Sequence, residues 1–263
     1  ERAPRLRVVA CPTVGHDHVD LAACRARGIV VTHTPDVLTE ATADLAWALI
    51  LATVRRLPQA ERSLRAGEFR GWGFWDYLGG DLSGRTLGIV GMGRIGRAVA
   101  RRAAALGMRI VATRRSRNEG PPGVEVLTGE GALDRLLSIS DYLVVTVPRT
   151  PETEGMIGAR ELALLPGHAV VINVSRGDVV DEAALAQALR SGALRGAGLD
   201  VFREEPLPPE SPLWGLPNAL LLPHVSGTSH RFWRRETDLI VTNLRRYLAG
   251  EPLLNSVDKQ AGY

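Results

Sequence analysis

Apolar residues in this chain gather into short continuous runs, most of them followed by a stretch of helical spacing. Runs at residues 6–10 and 29–32 flank a helix-like segment at 21–27. A nearly all-apolar helix follows, capped by Thr39 or Thr42 and ending in the basic pair Arg55-Arg56 before Leu57-Pro58. Residues 67–81, rich in Gly and Trp, read as a loop or arm. Beyond them strands are expected at 86–90, 109–113, 142–147, 169–173, 196–201 and 219–222. Helical stretches are expected at 95–106, 133–137, 160–164, 182–191 and, after a break at Gly227, 232–248. A strand that is apolar on both faces must be covered on both faces. The alternation therefore predicts an α/β chain with a doubly wound parallel sheet.

The run Leu87-Gly88-Ile89-Val90 leads directly into Gly91-Met92-Gly93-Arg94-Ile95-Gly96, which opens an Ala-rich amphipathic stretch. A G-x-G-x-x-G sequence is weak alone, but between a strand and a helix it meets the requirements of a Rossmann-type dinucleotide turn. Gly91 permits the tight turn, Gly93 lets backbone approach a pyrophosphate, and Gly96 lets helix pack on strand. The unpaired N–H groups at the start of the helix, around Arg94 and Ile95, then face the phosphates. The next strand ends in Thr113-Arg114-Arg115-Ser116, with no acid near. A carboxylate there would repel a 2′-phosphate, whereas guanidinium groups and a hydroxyl bind one, so NADP(H) is the expected cofactor and NAD(H) the alternative.

Bulk composition narrows the classes further. The 263 residues are 45% hydrophobic and 23% charged, with a formal net charge of +3, as in an ordinary globular protein. The arginines are scattered, so no concentrated basic face suggests nucleic acid. The longest apolar run, residues 45–54, is too short to span a bilayer. Cys11 and Cys24 show neither disulfide nor metal-ligand spacing, which favours a reducing cytoplasm and predicts no metal site.

Three further segments place polar residues just past the ends of predicted strands, where open α/β sheets bind ligands. They are Asn173-Val174-Ser175-Arg176-Gly177, Asp200-Val201-Phe202-Arg203-Glu204-Glu205-Pro206 and Pro223-His224-Val225-Ser226-Gly227. As a set, Arg, Glu and His can reduce a keto acid. Arg grips the carboxylate and polarises the carbonyl, His delivers a proton to oxygen, and Glu orients the imidazole. On chemistry alone Glu204 and Glu205 are equivalent candidates.

The order of these motifs resembles the D-isomer-specific 2-hydroxyacid dehydrogenase family, and within it the glyoxylate/hydroxypyruvate reductases. The resemblance begins at Val14-Gly15-His16-Asp17-His18-Val19-Asp20 and Thr34-Pro35-Asp36-Val37-Leu38-Thr39. It continues through the glycine motif, Val147-Pro148 and the three strand-end segments. It implies NADPH-dependent reduction of a small 2-keto acid, with Arg176, Glu205 and His224 catalytic. It also implies Val147, Pro148 and Asp200 beside the cofactor, and backbone amides of Val14 and Gly15 on the substrate carboxylate. A homodimer is expected, with Trp72 of the arm reaching the partner's substrate pocket. The family's substrate domain is flavodoxin-like and discontinuous. By resemblance it takes residues 1–35 and 228–263 here, is incomplete at its N-terminal side, and flanks a dinucleotide domain at 36–227. The alternatives are a dehydrogenase for another 2-hydroxy acid, such as a phosphoglycerate-type substrate, and a dinucleotide-sensing interaction protein without turnover.

Overall fold

A computed structural model of the chain describes residues 3–71, 73, 77–115 and 120–258. They form two compact units, one of residues 1–41 with 227–263 and one of residues 42–226. In the smaller unit β1 (Val8–Ala10), α1 (Leu21–Ala26) and β2 (Val30–Thr32) form a parallel crossover, with Val9 opposite Val31. Asp20 caps α1 by accepting from the Ala23 amide at 2.8 Å. Cys11, Cys24, Ile29, Val31 and Val257 make the unit's small core.

α2 (Thr39–Val54) carries the chain into the larger unit and is followed by α3 (Leu57–Arg65). The sheet and its helices then run β3 (Thr86–Val90), α4 (Arg94–Ala105), β4 (Arg109–Thr113), β5 (Val124–Leu127) and α5 (Ala132–Ser138). After these come β6 (Tyr142–Val145), α6 (Ala159–Ala163), β7 (Val170–Asn173), α7 (Glu182–Ser191), β8 (Gly196–Leu199) and β9 (Ala219–Leu221). All seven strands are parallel, in the order β5-β4-β3-β6-β7-β8-β9. α8 (Phe232–Leu248) belongs to the smaller unit.

Burial explains the uninterrupted apolar runs. Leu143 and Val145 of β6 pack in one cluster with residues of α5, α6 and α7, such as Leu136, Leu162 and Leu185. Tyr142 and Val144 pack on the other face with residues of α2 and α4, such as Ile50 and Val99. Side chains alternate between faces along a strand, so both parities must be apolar here. The buried Trp47 indole donates to the Val99 carbonyl at 3.1 Å, tying α2 to α4. Among the described residues no helix is long and apolar enough to cross a membrane.

Two elements depart from the sequence reading. The Leu57-Pro58 break begins a new helix, α3, because a proline in the first turn removes an N–H that would have no partner anyway. The turn is made at Arg56, which adopts left-handed φ of 54°. β5 was unassigned in the sequence because its Val-Glu-Val-Leu run alternates. It is an edge strand, and Glu125 is neutralised there by Arg109 at 2.8 Å and Arg135 at 2.7 Å. β6 and β8 also stop two residues short of their expected ends, leaving Thr146-Val147 and Asp200-Val201 to loops.

Candidate active site

The sheet changes winding direction between β3 and β6, so the crevice past their C-terminal ends is the topological switch point. The glycine turn lies there. Gly91 has φ of 102°, and a Cβ on it would lie 2.7 Å from Val147 Cγ1. A Cβ at Gly96 would meet the Gly91 carbonyl oxygen at 2.3 Å. Packing alone therefore requires these two glycines. It does not require Gly93, where a Cβ would find nothing within 4 Å. Gly93 is the N-cap of α4, which has neither a side-chain cap nor an acid in its first turn. Open space at a bare helix N-terminus fits the phosphates of a dinucleotide.

Neighbouring strands secure the turn. The Thr113 carbonyl accepts from both the Gly91 and Met92 amides, at 3.2 and 3.1 Å, which sets the glycine turn beside the start of Arg114-Arg115. The Arg114 amide donates to the Leu127 carbonyl at 3.3 Å. Thr146, just past β6, donates its hydroxyl to the Gly91 carbonyl at 2.7 Å. Thr146 is not among the residues expected at the site, although it carries the same signal as Asn173, a polar residue at a strand end. Ser116 and Trp72 lie outside the described residues.

Arg176, Glu205 and His224 follow β7, β8 and β9, three adjacent strands. The buried Asn173 shapes the first loop: its carbonyl oxygen accepts from the Ser175 amide at 3.0 Å and hydroxyl at 2.9 Å, and its amide donates to the Arg176 carbonyl at 2.9 Å. Arg176 is partly buried, and its guanidinium donates to the Ser175 carbonyl at 2.7 Å. Gly177 lets this loop press on the next one, since a Cβ there would lie 1.8 Å from the Phe202 carbonyl carbon. Arg203, in that second loop, donates its amide to Glu182 at the start of α7. Burial pushes the Glu182 carboxyl up, the Arg203 amide and guanidinium pull it down, and the net direction is upward.

Glu205 folds back so that one carboxylate oxygen accepts from the Phe202 amide at 3.0 Å and the other meets His224 Nδ1 at 2.7 Å. That bond engages Nδ1 and not Nε2 of His224, and it distinguishes Glu205 from Glu204. His224 has left-handed φ of 53°, a rare conformation for a side chain of its size. The next two residues hold it there: the Val225 and Ser226 amides donate to the two oxygens of the fully buried Asp200, at 2.9 and 2.8 Å. Val147 packs on Gly91, and Pro148 after it is exposed. In the smaller unit Val14 and Gly15 are partly buried on the loop after β1. Among the described residues no cluster of His, Cys, Asp or Glu could hold a metal ion.

Residues 47–226 match the family model for the NAD binding domain of D-isomer specific 2-hydroxyacid dehydrogenases. A glyoxylate reductase of Korarchaeum cryptofilum is 46% identical over 99% of this chain and 78% of its own length. A glyoxylate/hydroxypyruvate reductase B of Pectobacterium carotovorum is 41% identical over 99% of this chain and 81% of its own. The crystal structure of an NADPH-dependent glyoxylate/hydroxypyruvate reductase from Sinorhizobium meliloti, in complex with NADP and malonate, superposes with a TM-score of 0.89. It is 44% identical and covers 97% of this chain and 79% of that one. With a shared fold, a family model matched over residues 47–226 and this degree of identity, the chain belongs to the D-isomer specific 2-hydroxyacid dehydrogenase family and is an NAD(P)-dependent oxidoreductase.

Proposed function

We propose that this chain reduces glyoxylate, hydroxypyruvate or a similarly small 2-keto acid to the D-2-hydroxy acid, with NADPH as the preferred reductant and NADH as a second choice. The observation that carries this reading is the 2.7 Å contact between Glu205 and His224 Nδ1, on loops next to the one that carries Arg176. The names of the relatives and the malonate bound to the Sinorhizobium enzyme support the substrate class.

The glycine turn, the first amides of α4 at Arg94 and Ile95, and the Val147-Pro148 segment would hold the dinucleotide, with Asp200 at the nicotinamide border. Arg114, Arg115 and Ser116 are assigned to the 2′-phosphate. When bound, the reduced cofactor supplies a hydride to the carbonyl carbon. The protein does the rest. Backbone amides of Val14 and Gly15 hold the substrate carboxylate, while the Arg176 guanidinium grips the acid and polarises the carbonyl. His224 passes a proton from Nε2 to the carbonyl oxygen as charge develops there. Glu205 fixes the imidazole plane and favours its protonated form, and Asp200 keeps the His224 backbone in its left-handed turn.

A homodimer is part of the proposal. No residue of α3 is buried, yet Leu57 and Leu64 lie on it, and Phe69 and Leu78 after it are also exposed. Apolar side chains gathered on one segment mark a surface suited to a second copy. Light scattering of the purified chain checks this, since a monomer at micromolar concentration would contradict it. The catalytic assignment is tested by NADPH oxidation with glyoxylate in Arg176→Ala and His224→Ala. Loss of turnover with unchanged NADPH binding is expected, and turnover near that of the unmodified chain would overturn the roles given to them.

A further inference from the structure

The loop carrying Val14 and Gly15 is held in an unusual way. Both carbonyl oxygens are engaged inside the smaller unit. The Thr13 hydroxyl donates to the Gly15 carbonyl at 2.6 Å. The Val14 carbonyl is met by two imidazoles, His33 Nδ1 at 2.9 Å and His16 Nδ1 at 3.4 Å. A carbonyl oxygen only accepts, so His33 carries its proton on Nδ1. The rings pack edge to face with centroids 5.4 Å apart, and His16 is buried. His33 directly follows β2 and donates its own amide to the Asn255 carbonyl at 3.1 Å, which anchors it at its backbone.

Peptide planarity carries this anchoring to the other side of the loop. Among the described residues the one cis peptide is Glu205–Pro206, so the bond between Val14 and Gly15 is trans. In a trans peptide the C=O and N–H point in opposite directions. Fixing the Val14 oxygen on the imidazoles therefore turns the Gly15 N–H away from them. Among the described residues of this unit, neither that N–H nor the Val14 amide has an acceptor. A partly buried amide without a partner is costly, and an anionic ligand removes that cost.

We propose that His33, backed by His16, is a positioning residue that aims the Gly15 amide at the substrate carboxylate. The inference rests on the reading of Val14 and Gly15 as the carboxylate cradle. His33 touches neither substrate nor cofactor and acts only through the peptide it holds.

The experiment is steady-state NADPH oxidation at saturating NADPH with glyoxylate varied, in His33→Leu, His33→Asn and Gly15→Pro. His33→Leu removes the donor, and KM for glyoxylate is expected to rise about 3- to 10-fold, the loss of one such hydrogen bond, with kcat within about twofold. His33→Asn keeps an N–H donor and is expected to restore most of the KM. Fluorescence titration with NADPH, unchanged across the His33 variants, guards against a folding defect. An unchanged KM in His33→Leu, or an Asn variant as impaired as the Leu one, overturns the inference. Gly15→Pro deletes the amide itself and tests the underlying reading separately. If Gly15→Pro raises KM and His33→Leu does not, the cradle stands and the histidine role falls. If Gly15→Pro leaves KM unchanged, both fall.

Discussion

His224 does its proposed work from a backbone conformation that few side chains adopt, and two carboxylates hold it there. Glu205 fixes the ring, and Asp200 fixes the two amides that follow. Glu205→Ala should therefore lower kcat/KM about 100-fold, the scale of an acid/base contribution, while NADPH affinity stays within about twofold. An unimpaired variant would show that orienting His224 through Glu205 contributes nothing to turnover. Gly177 makes the opposite kind of demand. Its missing Cβ is replaced by the Phe202 backbone, which has no rotamer with which to yield. Gly177→Ala should cost about 2–3 kcal/mol and lower the melting temperature by several degrees, a shift that thermal unfolding of the two forms would show. The residue types at the site were readable because each follows an apolar run. The pairing was not legible from residue chemistry: Glu204 and Glu205 are equivalent on that ground, the family resemblance alone favoured Glu205, and the fold turns Glu205 back to His224.

At the scale of elements, legibility followed burial. Strands apolar on both faces were found, and so was the glycine turn, because a buried parallel sheet imposes a pattern that little else produces. β5 was missed because an edge strand has a solvated side that dilutes the pattern. α3 was missed because its proline reads as a stop when it is in fact a start. Contacts between strand ends are invisible in sequence, and Thr146 shows their consequence. Thr146→Val keeps the shape and removes the bond to the Gly91 carbonyl. The dissociation constant for NADPH, measured by fluorescence titration, should rise about 3- to 10-fold with little change in melting temperature. At the N-terminal ends of the same two strands, Asp141 accepts from the Thr86 amide at 2.7 Å and pairs with His168 and Arg85. Burial alone would raise the Asp141 carboxyl, but the Thr86 amide, His168 and Arg85 outweigh it and hold it below the usual carboxylate range. A carboxyl lowered on folding stabilises above its unfolded value, about 3.9, and loses that contribution as pH falls through the folded value. Asp141→Asn should thus be less stable than the unmodified chain at pH 6, with the gap closing below about pH 4. A gap constant with pH would show that the carboxylate charge has no part in it.

Across the molecule, the larger unit contains a complete dinucleotide fold and the smaller one presents the Val14-Gly15 loop on a two-stranded sheet. Arg114, just past β4, is proposed to read the 2′-phosphate. Arg114→Ala should raise KM for NADPH about tenfold and leave KM for NADH nearly unchanged. Equal effects on both cofactors would assign Arg114 to something other than the phosphate. The larger unit was the more legible because its motifs report a binding chemistry shared by all dinucleotides, whereas the choice of acid depends on loops whose shape no spacing encodes. The Glu205-His224 pair and Arg176 are proposed to support the reduction of a small keto acid by NADPH. This is tested most directly by the loss of NADPH absorbance on adding glyoxylate or hydroxypyruvate to the unmodified chain and to His224→Ala. Turnover is expected in the first and a loss of about 100-fold or more in the second, with NADPH still bound. NADPH binding without turnover on either acid would contradict this assignment.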